Sequence, residues 1–342
     1  MKIAIAARFR PYTHSLGSFA LLPASSLAIQ AYPNLLKVFA VEHGLSEIGI
    51  IDFSFAGPID DYTVQTDLEK NRIAIWGKAR QGFFRYFLSP AGARQIALSW
   101  DKQPQTASWQ ATPGLLAERL PQPAPLCRLF LGISKQGNWE RIRERLLLAE
   151  ILPYWHAFAI RVPALAYVPE QNSLAAECQH AIQQQERLNA GTHLQNLFLA
   201  GFKGIFVPRL QDEEHQGFSK QVSEYMAPMA LLNASKNMIE SLFYLFDGRE
   251  LRLLPCLPPE LHCGRMIGVK LGNILLDFEW TKKKMRRMML LTDRSETLRV
   301  LLPKDIHSFR LSKKEHEKGA VYNNGSEILL EPGVTYLCDR FE

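Results

Sequence analysis

The chain has 342 residues, of which 47% are hydrophobic and 22% charged, with a formal net charge of +6. That length exceeds what one hydrophobic core supports, since cores stop growing near about 250 residues, so two or three domains are expected. The composition excludes a disordered chain and shows no fixed-period repeat, and no apolar stretch approaches the roughly 20 residues a membrane helix needs.

The opening MKIAIAARFRPYTH has only a short apolar run, followed at once by Arg8, Arg10 and Pro11, which reads as a strand and not as a signal peptide. Five cysteines, Cys127, Cys178, Cys256, Cys263 and Cys338, are too few and too scattered for a disulfide framework, which suits a cytoplasmic location. From there to about residue 101 come short β-type runs: KIAIAARF, FALLP, LAIQAY, LLKVFAV, IGIIDFSF, RIAIWGKA, FFRYFLS and RQIALSW. Turn residues such as Pro23, Pro33, Gly57-Pro58 and Asn71 separate them, and this spacing predicts an N-terminal antiparallel β-sandwich. Residues 102–126 carry Pro104, Pro113, Pro121, Pro123 and Pro125 and read as a linker or a loop crossing a surface; LCRLFLGIS then reads as a strand.

The periodicity next changes to helical. NWERIRERLLLAEIL is predicted as one helix, capped by Asn138 and stopped by Pro153. Further helices are predicted over residues 154–160, 173–188, 192–205, 220–229 and 234–246. From residue 250 strand patterns return, in ELRLLPCLP, MIGVKL, ILLDFEW, MRRMMLLT, TLRVLLP, EILLEPG and TYLCDRF. The fold class expected is multidomain β + α + β, with a sandwich at 1–126, a short helical region at 127–247 and a C-terminal β-sandwich at 248–342.

The stretch from Gly248 to Thr292 resembles the junction between barrel and C-terminal β-domain in family-95-type α-fucosidases and related glycosidases. Leu253, Leu254, Pro255, Leu257 and Pro258 match an "hLLPALP" segment, Gly264 and Gly268 a glycine turn, and Gly272, Leu276, Asp277, Glu279 and Trp280 a hairpin motif. The resemblance implies a relative of carbohydrate-active enzymes whose helical region is a truncated, partial α/α barrel. In those enzymes an Asp-Gly-Asn motif before the last barrel helix supplies the general base; here that stretch reads MALLNASKNMIE, and the Asp position falls near Met229. The base is missing, so a non-catalytic role in binding carbohydrate or protein is expected, with a reduced glycoside hydrolase as the alternative.

Hydrolysis would need two carboxyls across one groove. The candidates are Asp212 and Glu213 in PRLQDEEHQGF, together with Glu150, which sits in an apolar run within reach of Arg145 or Arg161, and Glu240. Neighbouring His215 and Gln216 are candidates for ligand contact. Of Trp76, Trp100, Trp109 and Trp139, which could stack on sugar rings, Trp109 in the polar QTASWQAT segment is the one expected to be accessible. Lys282, Lys283, Lys284, Arg286 and Arg287 lie on a predicted hairpin without interleaved aromatics, so nucleic-acid binding is not expected. Adjacent His262 and Cys263 would point to opposite strand faces beside Cys256, and no phosphate loop or metalloprotease motif occurs; no metal or cofactor is predicted.

Overall fold

The computed structural model describes residues 2–42, 45–119, 127–164, 173–200, 228–313 and 318–342. Ten strands come first: β1 (Tyr12–Thr13), β2 (Ser18–Leu21), β3 (Leu27–Ala31), β4 (Leu35–Ala40), β5 (Ser46–Phe53), β6 (Asp60–Asp67), β7 (Arg72–Ala79), β8 (Gly82–Pro90), β9 (Ile96–Lys102) and β10 (Trp109–Ala111). They form two five-stranded antiparallel sheets, ordered β1-β6-β7-β8-β9 and β10-β5-β4-β3-β2. The period-2 alternation of the strands sets their inner faces. Tyr62 and Val64, Ile73 and Ile75, and Phe84, Tyr86 and Leu88 meet Leu27, Ile29, Leu36, Val38, Ile51 and Phe53 in one buried cluster. Aromatic stacking fills it, with Phe55 on Phe84 at 4.0 Å and Phe53 on Tyr86 at 4.8 Å between ring centroids.

Two strand readings change here. β6 was not expected, because its sequence DDYTVQTD is largely polar; only Tyr62, Val64 and their alternation mark it. KIAIAARF, in turn, joins no ladder, although Ile3, Ile5 and Phe9 are buried. Its carbonyls are claimed by arginines: Arg128 donates to Ile5 at 3.1 Å and to Ala7, and Arg265 donates to Ala4 at 3.0 Å. Further on, the Leu68 N–H donates to the Phe9 carbonyl at 3.1 Å. The segment is thereby laid between the sandwich and the C-terminal sheet.

β11 (Arg128–Phe130) leads into five helices: α1 (Trp139–Arg145), α2 (Leu148–Ala159), α3 (Leu174–Gln183), α4 (Arg187–Ala200) and α5 (Pro228–Phe243). Asn138 caps α1 by accepting from Arg141 N at 2.9 Å, as predicted. The expected single helix is broken, however. Leu146 takes a left-handed φ of +48°, α2 restarts at Leu148, and Pro153 lies inside α2, where it removes one intrahelical donor without ending the helix. The helix predicted at 234–246 closes at Phe243, because Tyr244–Phe246 pairs with Leu251–Leu253 as strand β12.

The remaining strands are β13 (Glu250–Leu253), β14 (Cys263–Leu271), β15 (Ile274–Thr281), β16 (Lys284–Thr292), β17 (Glu296–Leu301), β18 (Ser308–Ser312), β19 (Ala320–Asn323), β20 (Glu327–Leu330) and β21 (Thr335–Asp339). They make a seven-stranded sheet, β11-β14-β15-β16-β21-β18-β19, and a four-stranded one, β12-β13-β17-β20, in which β13 and β17 run parallel. β11, which precedes the helices, thus forms an edge of the C-terminal sheet. A second hydrophobic cluster runs without a break from Trp155 and Phe198 in the helices to Phe278, Leu298 and Phe309 in these sheets, and takes in Phe9.

The motif residues quoted above have packing roles. Gly264 lies under the Trp280 ring, which donates to the Leu261 carbonyl at 3.2 Å, and Gly268, with a φ of +70°, sits at the bulge where its N–H donates to Asp277 at 2.7 Å. All five cysteines are free. No helix among the described residues is long and apolar enough to cross a membrane.

Candidate functional site

A hollow of about 390 Å³ opens where the first sandwich sheet meets the start of the helical region. β6 contributes Thr63 and Gln65 and β7 contributes Trp76, all pointing away from the sandwich core. The N-terminal segment adds Arg8 and Arg10, β1 adds Tyr12, and the turn before α1 adds Lys135 and Gln136, with Tyr154 of α2 at the back. The wall is fixed by short contacts: Tyr12 N donates to the Gly137 carbonyl at 2.7 Å and its hydroxyl to Gln136 at 3.1 Å. Behind it Glu140 accepts from Ser15 at 2.9 Å and from Thr13, which ties α1 to β1.

The electrostatics are one-sided. Among the described residues no carboxylate lines this hollow, whereas three permanent cations do. Arg10 leans on buried Asp67 at 3.4 Å, but among the described residues Arg8 and Lys135 form no ion pair. Trp76 is only half-buried and carries Arg85 over its ring at 5.6 Å from the centroid. A second hollow of about 470 Å³, sharing His14, continues over Asn138, Arg141 and Glu144. Cations, side-chain amides and a flat aromatic face around one concavity are what a polar, negatively charged ring compound needs.

The sequence-predicted residues lie elsewhere. Glu150 is buried and held by Arg145, whose Nε donates at 2.9 Å, which makes it a paired structural carboxylate. Glu240, 12% exposed, accepts or shares a hydrogen bond with His156 Nε2 at 3.1 Å and accepts from the Tyr244 hydroxyl at 2.8 Å. Burial alone would raise this carboxyl, but the His156 and Tyr244 hydrogen bonds and the Lys236 charge hold it below the usual glutamate value. The partners of Glu150 and Glu240 do not overlap. Trp109 is accessible as predicted, 40% exposed, yet it sits on β10 at an edge of the other sheet and does not line the hollow. Asp212, Glu213, His215 and Gln216 lie outside the described residues.

In the basic hairpin, Arg287 pairs with Glu279, which also binds Arg265 at 3.2 Å, and Lys284 approaches Asp305 at 3.8 Å. Cys256 is buried, and Cys263 packs against Gly132. The residues that line the hollow are scattered from Arg8 to Tyr154, so no local motif gathers them, and among them only Trp76 carries a sequence signal for sugar stacking. No protein-family model matches this chain, and no curated protein matches it either.

Proposed function

We propose that the protein is a non-catalytic binder of an acidic carbohydrate, held in the hollow over Trp76. The carrying observation is the lining itself: Arg8, Arg10 and Lys135 with Trp76, Tyr12 and the amides of Gln65 and Gln136, and no carboxylate among them. An anionic sugar ring would stack its C–H face on the indole, pair its charge with the cations and exchange hydroxyl hydrogen bonds with the amides. The absence of hydrolysis is supported by Glu150 being committed to Arg145 and Glu240 to His156 and Tyr244. The resemblance of the 253–280 stretch to family-95-type α-fucosidases supports an origin among carbohydrate-active enzymes.

The test is calorimetric titration with a uronate-containing oligosaccharide and its neutral counterpart. The acidic sugar binds; Trp76→Ala weakens it about tenfold, the equivalent of roughly 1–2 kcal/mol of lost stacking, and Lys135→Ala reduces both affinity and its salt dependence. Equal binding of both sugars, or an unaffected Trp76→Ala, overturns the reading. Release of reducing ends that Glu240→Gln abolishes would replace it with the hydrolase alternative.

A further inference from the structure

Cys127 at the entry to β11, His156 in the last turn of α2 and Glu240 in α5 come from three separate elements, yet they converge. The Cys127 Sγ, an imidazole nitrogen of His156 and a carboxylate oxygen of Glu240 all lie within 4.8 Å of one another. His156 has no exposed surface, and among the described residues its Nδ1 has no hydrogen-bond partner. Nε2 is the nitrogen that faces the Glu240 carboxylate, so it is the one placed to ligate, and Nδ1 keeps the ring proton. Tyr244 fixes the other carboxylate oxygen at 2.8 Å, which leaves Oε1 aimed at the histidine.

One sulfur, one imidazole nitrogen and one carboxylate oxygen form a donor set suited to zinc, and three protein ligands with an open fourth position are the pattern of zinc sites that admit a water or substrate. We propose that Cys127, His156 and Glu240 form a zinc-binding site whose fourth position is left to water or a small anion. A tetrahedral zinc sets such donor atoms roughly 3.4–3.6 Å apart. The His156–Glu240 pair, at 3.1 Å, is close to this spacing, and the three atoms together need to draw in by about an ångström from their 4.8 Å limit.

On zinc binding the donor set gives up one proton. The thiol proton leaves to solvent, the imidazole carries its proton on the nitrogen that does not ligate, and the thiolate and carboxylate charges balance the ion. Tyr244 donates to the other carboxylate oxygen and keeps the carboxylate oriented.

The full chain, stripped with chelator, is titrated with Zn²⁺ against a chromophoric competitor and separately with Co²⁺, which reports sulfur ligation as a charge-transfer band. One ion per chain and a sulfur–cobalt band are expected; Cys127→Ser loses the band and weakens zinc at least tenfold, while Cys263→Ser keeps both. The same question is put to the wild type without any substitution: zinc slows alkylation of Cys127 by iodoacetamide at least tenfold, read by peptide mass. No bound zinc, a band that survives Cys127→Ser, or Cys127 alkylation unchanged by zinc each overturns the proposal.

Discussion

A methyl group added at Gly264 would sit 2.3 Å from the Trp280 ring and 2.9 Å from Leu131, distances no neighbour can accept without moving a buried indole. Gly264→Ala is therefore expected to lower stability by about 2–4 kcal/mol, read as a shifted urea midpoint with an unchanged slope. A second residue-scale expectation concerns Asp339. The two Arg310 hydrogen bonds, at 2.8 and 2.6 Å, hold its carboxyl below the usual aspartate value against a smaller opposing effect of burial. A depressed acid stabilises the fold above its unfolded value, near about 3.9, and the contribution is lost as the pH falls through the lower folded value. Arg310→Met should thus be less stable at neutral pH and should lose less stability between roughly pH 4 and 2 than the wild type does, which urea midpoints across that range would show.

Among the elements, the β15–β16 hairpin carries an unusual turn. Thr281 faces Lys284, so Lys282 and Lys283 are the two turn residues, and both have positive φ, +51° and +63°. That is the backbone of a type I′ turn, which favours Asn-Gly and penalises longer side chains. Replacing them as Lys282→Asn with Lys283→Gly should stabilise the chain and raise its Tm by a few degrees, about 2–4 °C per kcal/mol gained; an unchanged or lower Tm would contradict this. Elements of this kind divide what the sequence tells from what it conceals. β7, β8, β15 and β16 were legible because apolar alternation and turn residues coincide in them. β6 was not, since acidic residues open and close it, and the α1–α2 break was not, since apolar spacing continues through Leu146 while the visible signal, Pro153, is tolerated within α2. Neither the hollow nor the Cys127–His156–Glu240 cluster was legible, because each gathers single residues from distant elements; His156 and Glu240 are 84 positions apart.

At the scale of the whole molecule, the sandwich has its own core, whereas the helices share theirs with the C-terminal sheets. Two calorimetric transitions are expected. Phe84→Ala should lower one and Phe278→Ala the other, each by about 3–5 kcal/mol of local stability; a single transition moved equally by both would show that the two cores unfold as one. The segment of residues 2–9 adds a constraint of a different kind. Its main-chain oxygens are taken by Arg128 and Arg265, and the Arg265–Ala4 bond spans 261 positions. During synthesis these residues must therefore wait, solvated and apolar, until most of the chain has emerged. Closure of so long a loop comes late and slowly, so this apolar segment is expected to stay exposed until the C-terminal sheet has formed.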